Sequence, residues 1–352
     1  MRRLLASLVT LALLASAGAA EAKSTKVKKM PAPPCPPKTL VLSAMPVELS
    51  AVIARYAGFR HSAPVVTKTI NGRDYYVGTF DGSSIVFTQT GIGPANAKRA
   101  TDAAFAAFPC KGGPPFRDAV FSGVAGGDYI GDVIVPDRWT ADAGKHVVRI
   151  RPWMLSIANA AVNDANRLLR TTAPAGDPAC GCVTSPDAVT TVAVTHKPAV
   201  EVGGPGQTTD PFSGRALPCV PGGGDVFGCA PCAAQTNASR DGQAFVPGAV
   251  PFVDPAFFAG YAASSATSPG YVAEDEETAV VAAESAKWGV PFIGFRGVSD
   301  GAGDPLGLPG FPVQFFYYRQ LAADNAAIAT FSFLETLAIR PHIAIEEDSD
   351  RS

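Results

Sequence analysis

Short apolar runs of strand type alternate with helical patterns along most of this chain, and that alternation restricts it to a layered α/β fold. Strand-type runs are expected at residues 39–43, 75–80, 85–89, 119–121, 132–135, 190–196 and 292–298. Helical patterns are expected at 46–56, from Gly91-Ile92-Gly93 to about Phe108, and at 152–170, 276–288 and 315–339. Asp81-Gly82 between two strands is a hairpin signal. The small-residue stretch from Ser122 to Gly127 reads as a loop after the strand at 119–121. Between 197 and 250 regular pattern disappears, and that stretch reads as an insertion rich in Cys, Gly and Pro. The expected architecture has helices on both faces of a largely buried sheet.

In open sheets of this kind, ligands bind where strands run into helices, at the carboxyl ends of the strands. Three acids stand at such places. Glu48 follows the first strand, Glu276 opens the helix at 276–288, and Asp300 ends the strand that follows it. Their neighbours are mostly Ala, Val, Gly and Phe. A carboxyl group in an apolar cleft is pushed towards its protonated form, which suits acid and base work near neutral pH. The plain alternative for Glu48 and Glu276 is a solvated first-turn residue favoured by the helix dipole.

Five segments, in order, carry a resemblance. Ser43-Ala44-Met45-Pro46-Val47-Glu48 resembles the opening of the methylthioadenosine/adenosylhomocysteine nucleosidases, within the nucleoside phosphorylase superfamily. Thr90-Gly91-Ile92-Gly93-Pro94-Ala95-Asn96-Ala97 is similar to that family's glycine turn. Gly123-Val124-Ala125-Gly126-Gly127, followed by Gly131-Asp132-Val133-Ile134, is similar to its next glycine loop and strand. Glu276-Glu277-Thr278-Ala279 resembles its helix start, and the stretch from Gly289 to Ser299-Asp300 resembles its closing strand. The fold this implies is a three-layer α/β/α sandwich with a central mixed β-sheet.

The resemblance also implies roles. Asp300 would protonate or hydrogen-bond the purine N7, Glu276 would hold the ribose hydroxyls, and Glu48 would deprotonate the attacking water. Phe252 matches the aromatic that stacks on the purine, with Phe227 in Gly224-Asp225-Val226-Phe227 as a rival match, and Phe315 would wall the ribose. Gly91, Gly93, Gly123 and Gly126 would lie near the ligand. Phe121 and Val124 occupy places where the phosphorylase branch holds phosphate, so water is the expected nucleophile. Asp275 stands where the family has Met, which adds a charge beside the sugar. The expected activity is hydrolysis of a purine nucleoside of the adenosine, inosine or methylthioadenosine type. A storage-type binding protein with reduced catalysis and a phosphate-dependent phosphorylase are the alternatives. No cofactor or metal is expected, and the resemblance implies a homodimer.

The ends and the bulk composition bound where such a chain works. Arg2 and Arg3, the apolar run from Leu4 to Leu14, and Ala20-Glu21-Ala22 form the pattern of a secretory signal peptide over residues 1–22. Residues 23–37 hold four lysines and five prolines and read as a linker. The domain is expected over 38–345, with an acidic tail at 346–352. The expected destination is the periplasm or the medium, with no stable membrane insertion after processing. A net charge of −2 and the lack of a basic patch speak against nucleic acid as a partner. Seven cysteines, five of them within 180–232, suit an oxidising compartment and are expected to form disulfides there.

Overall fold

The computed structural model describes residues 35–339, except 37, 61, 142–144, 175–190, 222–223, 232–269 and 309. The signal segment, nearly all of the linker and the acidic tail lie outside the described residues, as do Phe252, Cys180, Cys182 and Cys232. In chain order the first half runs β1 (Lys38–Ser43), α1 (Pro46–Ala57), β2 (Val66–Ile70), β3 (Arg73–Phe80), β4 (Ser83–Gln89), α2 (Pro94–Ala107), β5 (Asp118–Tyr129), β6 (Val133–Val135), β7 (Arg138–Ala141), β8 (His146–Arg149) and α3 (Pro152–Asn166). It continues with β9 (Thr172–Pro174), β10 (Thr191–Ala193), β11 (Val200–Val202), β12 (Pro205–Thr208), α4 (Gly224–Phe227), β13 (Ala273–Asp275), α5 (Thr278–Lys287), β14 (Phe292–Ala302) and α6 (Val313–Ile339).

Twelve of these strands join in one mixed sheet, in the order β2-β3-β4-β1-β5-β13-β12-β7-β8. Strand β14 lies beside β5 and β6, and β6 also pairs with β11. The centre is parallel: β1 lies between β4 and β5, and β14 runs along β5. These strands are covered on both faces, which is why they read as unbroken apolar runs. Leu40, Val41, Leu42, Val86, Phe87, Ala119, Val120, Phe121 and Ile293 are all buried. Helices α1, α3 and α6 pack together, with α6 against β5 and β14, while α2 pairs with α5. The result is the three-layer sandwich that the alternating pattern implies.

The long α6 is apolar nearly all round because it is buried nearly all round. Its polar residues are tied to other elements. Asn325 donates to the carbonyls of Gly131 (2.7 Å) and Arg170 (3.0 Å) and accepts from the Arg170 amide. Among the described residues, no helix is long and apolar enough to cross a membrane.

Three expectations need correction. The stretch Ser122–Gly127 is not a loop but the middle of β5, between β1 and β14, with β13 pairing at Gly126 and Gly127. Its glycines serve close packing, not a turn. Residues 200–208, expected inside an insertion, form β11 and β12 of the central sheet. These strands are three and four residues long, with Gly203 and Gly204 between them and Pro205-Gly206 opening the second, too short to show a period. A Cβ on Gly206 would sit 2.7 Å from the Trp139 ring, so the absence of a side chain there is a packing requirement. The run at 190–196 shrinks to β10, which pairs with β9 in a separate two-stranded sheet. The hairpin of β2 and β3 is an addition. Its Asn71-Gly72 turn has both residues at positive φ, as does Asp81-Gly82 between β3 and β4.

Candidate active site

The carboxyl ends of β1, β5, β13 and β14 converge on one pocket. Its walls include Met45, Glu48, Ile92, Val124, Gly126, Phe212, Leu217, Phe227, Glu274, Glu276, Glu277, Ser299, Asp300, Phe311 and Phe315. Three expected acids, Phe315 and Gly126 therefore share one cavity. Phe227 is also in its wall, whereas Phe252 lies outside the described residues.

Glu48 is held by backbone donors. Chain leaving β1 turns at Ala44-Met45 into α1, whose first turn leaves amides unpaired. The Glu48 carboxylate turns back and accepts from the amides of Ala44 (2.6 Å) and Met45 (3.0 Å), while its other oxygen accepts from Val124 of β5 (2.8 Å). Glu48 thus caps its helix and faces the pocket together. It is buried, and burial pushes its pKa above the usual carboxylate range. The Arg296 guanidinium, 3.9 Å away, and the three amides pull the other way. A Cβ on Gly123 would lie 2.5 Å from Arg296 and 2.7 Å from Glu48, so only glycine fits between them.

Asp300 sits on β14 beside an irregularity in register with β5, between Val298 and Asp300. Ser299 donates to one of its oxygens at 2.8 Å. The other oxygen lies 2.8 Å from where a Cβ of Gly126 would be, so a side chain on Gly126 would crowd it. Burial raises the Asp300 pKa to about 6, against the opposing pull of the Ser299 bond. That places a carboxylic acid at the pocket wall at slightly acidic pH.

The turn from β13 into α5 carries three acids in sequence. Helix α5 starts at Thr278, so Glu276 lies in the turn before it and lines the pocket. Asp275 does not reach the pocket wall. It accepts from the amides of Glu277 and Thr278 (both 3.2 Å) and from Thr208 (2.5 Å), and pairs with Arg296 at 2.5 Å. The extra charge of Asp275 is therefore matched by Arg296 away from the pocket wall. Glu277 accepts from the Gly93 amide (2.8 Å) and lies 3.3 Å from Arg296. Gly91 precedes it in the same turn and lines a shallow cleft that adjoins the pocket at Ile92.

Sequence reasoning gave no role to Arg296 or Glu277. The signal for Arg296 was present: a guanidinium inside the apolar run 292–298 has to be paired when buried. Arg296 is fully buried. It donates to Thr278 and to the Val124 carbonyl, and lies over the Phe121 ring at 4.1 Å.

The aromatic wall hangs on two restraints. Within α4, Asp225 forms a buried ion pair with Arg319 of α6 (2.8 Å), which seats Val226 and Phe227 against the pocket. A disulfide between Cys219 and Cys229 closes the same loop, meeting the expectation of disulfides in this cysteine-rich stretch. A second disulfide, Cys35–Cys110, joins chain before β1 to chain after α2. Asp225→Ala leaves a buried guanidinium without its carboxylate, and loss of about 3–5 kcal/mol is expected in denaturant unfolding. The double variant Asp225→Leu, Arg319→Met should recover much of that loss. A single-variant loss under about 1 kcal/mol would mean the pair behaves like a solvated one.

The chain resembles known proteins along most of its described length. The family model of the phosphorylase superfamily matches residues 38–179. An uncharacterised protein of Mycobacterium tuberculosis is 38% identical over 203 residues, covering 55% of this chain and 76% of that protein. A second, shorter uncharacterised protein of the same organism is 59% identical over 71 residues, covering 20% of this chain and 96% of that protein. Among solved structures, the 5′-methylthioadenosine/S-adenosylhomocysteine nucleosidase of Colwellia psychrerythraea, in complex with adenine, aligns with a TM-score of 0.52 at 17% identity. That alignment covers 86% of this chain and 96% of the nucleosidase. Futalosine hydrolase of Helicobacter pylori aligns with a TM-score of 0.50 at 15% identity, over 85% and 97% of the two chains. With the strand order, the pocket at the strand ends and these matches in agreement, the chain belongs to the phosphorylase superfamily.

Proposed function

We propose that this protein is an exported hydrolase that cleaves the N-glycosidic bond of a purine nucleoside. The observation that carries the reading is the pocket itself: Asp300, Glu48 and Glu276 line one apolar cleft, and no Lys, Arg or His is among the described residues in its wall. In this reading the purine stacks on Phe227, the rival to Phe252, and Asp300 in its acid form gives a proton to N7. The bond from C1′ to the base breaks with its electron pair going to the base. Glu48 takes a proton from water, whose oxygen bonds to C1′. One proton enters on the base side and one leaves on the water side, so charge balances. Glu276 accepts hydrogen bonds from the ribose hydroxyls, and the surrounding carboxylates favour the positive charge that develops on the sugar. Export is supported by the signal pattern and by two disulfides, which persist in oxidising compartments.

Among its described residues the pocket wall offers phosphate no counter-charge after desolvation, which favours water as the nucleophile. The test is incubation of the purified protein with adenosine, inosine and methylthioadenosine, with and without millimolar phosphate. Free base and free sugar should appear at a rate that phosphate leaves unchanged. Strict dependence on phosphate, with a sugar 1-phosphate as product, would replace the hydrolase by a phosphorylase. Tight nucleoside binding without base release would replace it by a binding protein.

A further inference from the structure

Glu277 has no part in the scheme above, and its surroundings are those of a bound anion. One oxygen accepts from the amide of Gly93 at 2.8 Å. Gly93 caps the start of α2, so this amide lies at the positive end of a fourteen-residue helix. The other oxygen lies 3.3 Å from the Arg296 guanidinium. Glu277 is 3% exposed, yet it forms part of the pocket wall together with Glu48. The two donors that an entering oxyanion would use are occupied by the protein's own carboxyl group.

We propose that Glu277 fills the anion position of this pocket from within, so that an oxyanion such as phosphate finds its donors taken and water is left as the nucleophile. The consequence for the reaction rests on the hydrolytic reading; the filled cradle rests on the geometry. Every element packed around Glu277 contributes to the balance. Arg296 of β14 attracts it, Gly93 of α2 donates to it, and Asp275, Glu276 and Glu48 repel it. The guanidinium is already matched by Asp275 at 2.5 Å, with Glu48 a further 3.9 Å neighbour. Burial and this crowding push the Glu277 pKa well above the usual carboxylate range. A phosphate would meet the same crowding with more charge and would also have to displace Glu277.

Thermal unfolding at increasing inorganic phosphate, against chloride of matched ionic strength, tests this on four proteins. They are the unaltered chain, Glu277→Gln, Glu277→Ala, and the double variant Asp275→Asn, Glu277→Ala. Gln still fills the cradle. Ala empties it, and Asn at 275 keeps an acceptor for the start of α5 while releasing the guanidinium. The two Ala-containing variants should gain about 2–3 °C at phosphate near tenfold above Kd. The unaltered chain and Glu277→Gln should gain nothing beyond the chloride control. Equal stabilisation of all four proteins, or of none, overturns the proposal. A second measurement needs no variant: the Gly93 amide resonance of the unaltered protein should not move on phosphate titration, and a saturable shift there overturns the proposal as well. None of these readouts requires turnover. If the unaltered protein releases no base while only the Ala variants respond to phosphate, the hydrolytic reading falls and the filled cradle stands.

Discussion

Asp300→Asn should lower kcat by about 10²–10⁴, the usual span for loss of a general acid, while nucleoside affinity changes little. Asn keeps the shape beside Gly126 and the bond with Ser299, so the loss isolates the proton. The pH profile gives a second, independent readout. Burial places the Asp300 pKa at about 6, and in the proposed reaction the acid form assists the leaving base. kcat/KM should therefore fall about tenfold per pH unit on the alkaline side of that value, and this limb should vanish in Asp300→Asn. In the proposed reaction the acid side belongs to Glu48, which would work ionised, and its pKa is raised too. The profile should accordingly be a narrow bell. Unchanged turnover in Asp300→Asn, or a limb that persists in it, would remove Asp300 from the mechanism.

Glu48→Gln is expected to bind nucleoside and to release base about 10²–10⁴ times more slowly. It should also lose stability, which a simple shape argument misses. Both carboxylate oxygens of Glu48 accept from backbone amides, Ala44 and Met45 on one side and Val124 on the other. A Gln offers one acceptor and one donor end, so an amide in β5 or at the start of α1 loses its partner, at a cost of about 1–3 kcal/mol. Calorimetric nucleoside binding, kcat and denaturant midpoint separate the two effects. A variant that is destabilised but turns over at the original rate would make Glu48 a cap and not a base.

The sequence was most readable where structure is set locally. The Asp81-Gly82 hairpin, α1 behind Pro46, and the apolar length of α6 each carry a signal within a few residues. It was least readable where tertiary packing decides. Gly123, Gly126 and Gly127 look like a loop because strand interiors disfavour glycine. Here the neighbouring side chains of Arg296, Asp300 and Val298 take up that space. For the pocket, Glu48, Glu276 and Asp300 could be named from their places after strands and from the family resemblance. Glu277 could not, because only the fold brings it to Gly93 and Arg296. The choice between Phe227 and Phe252 was also beyond the pattern. Helix α4 is four residues long, and what seats it is Arg319, 94 residues away.

The register irregularity in β14 has a consequence for how relatives of this chain can diverge. Side chains of a strand alternate between its two faces, so adding or deleting one residue moves every later side chain to the opposite face. Between Phe292 and Asp300 the strand is in step with β5 until Val298 and then slips. That slip decides which face Asp300 presents. Single-residue replacements along 292–298 alter packing and leave the acid in place, whereas a one-residue deletion there turns it away from the pocket even if every named side chain is kept. The length of this segment therefore constrains where Asp300 points more tightly than its composition does, and a one-residue deletion between Phe292 and Val298 is expected to remove the carboxyl group from the pocket wall.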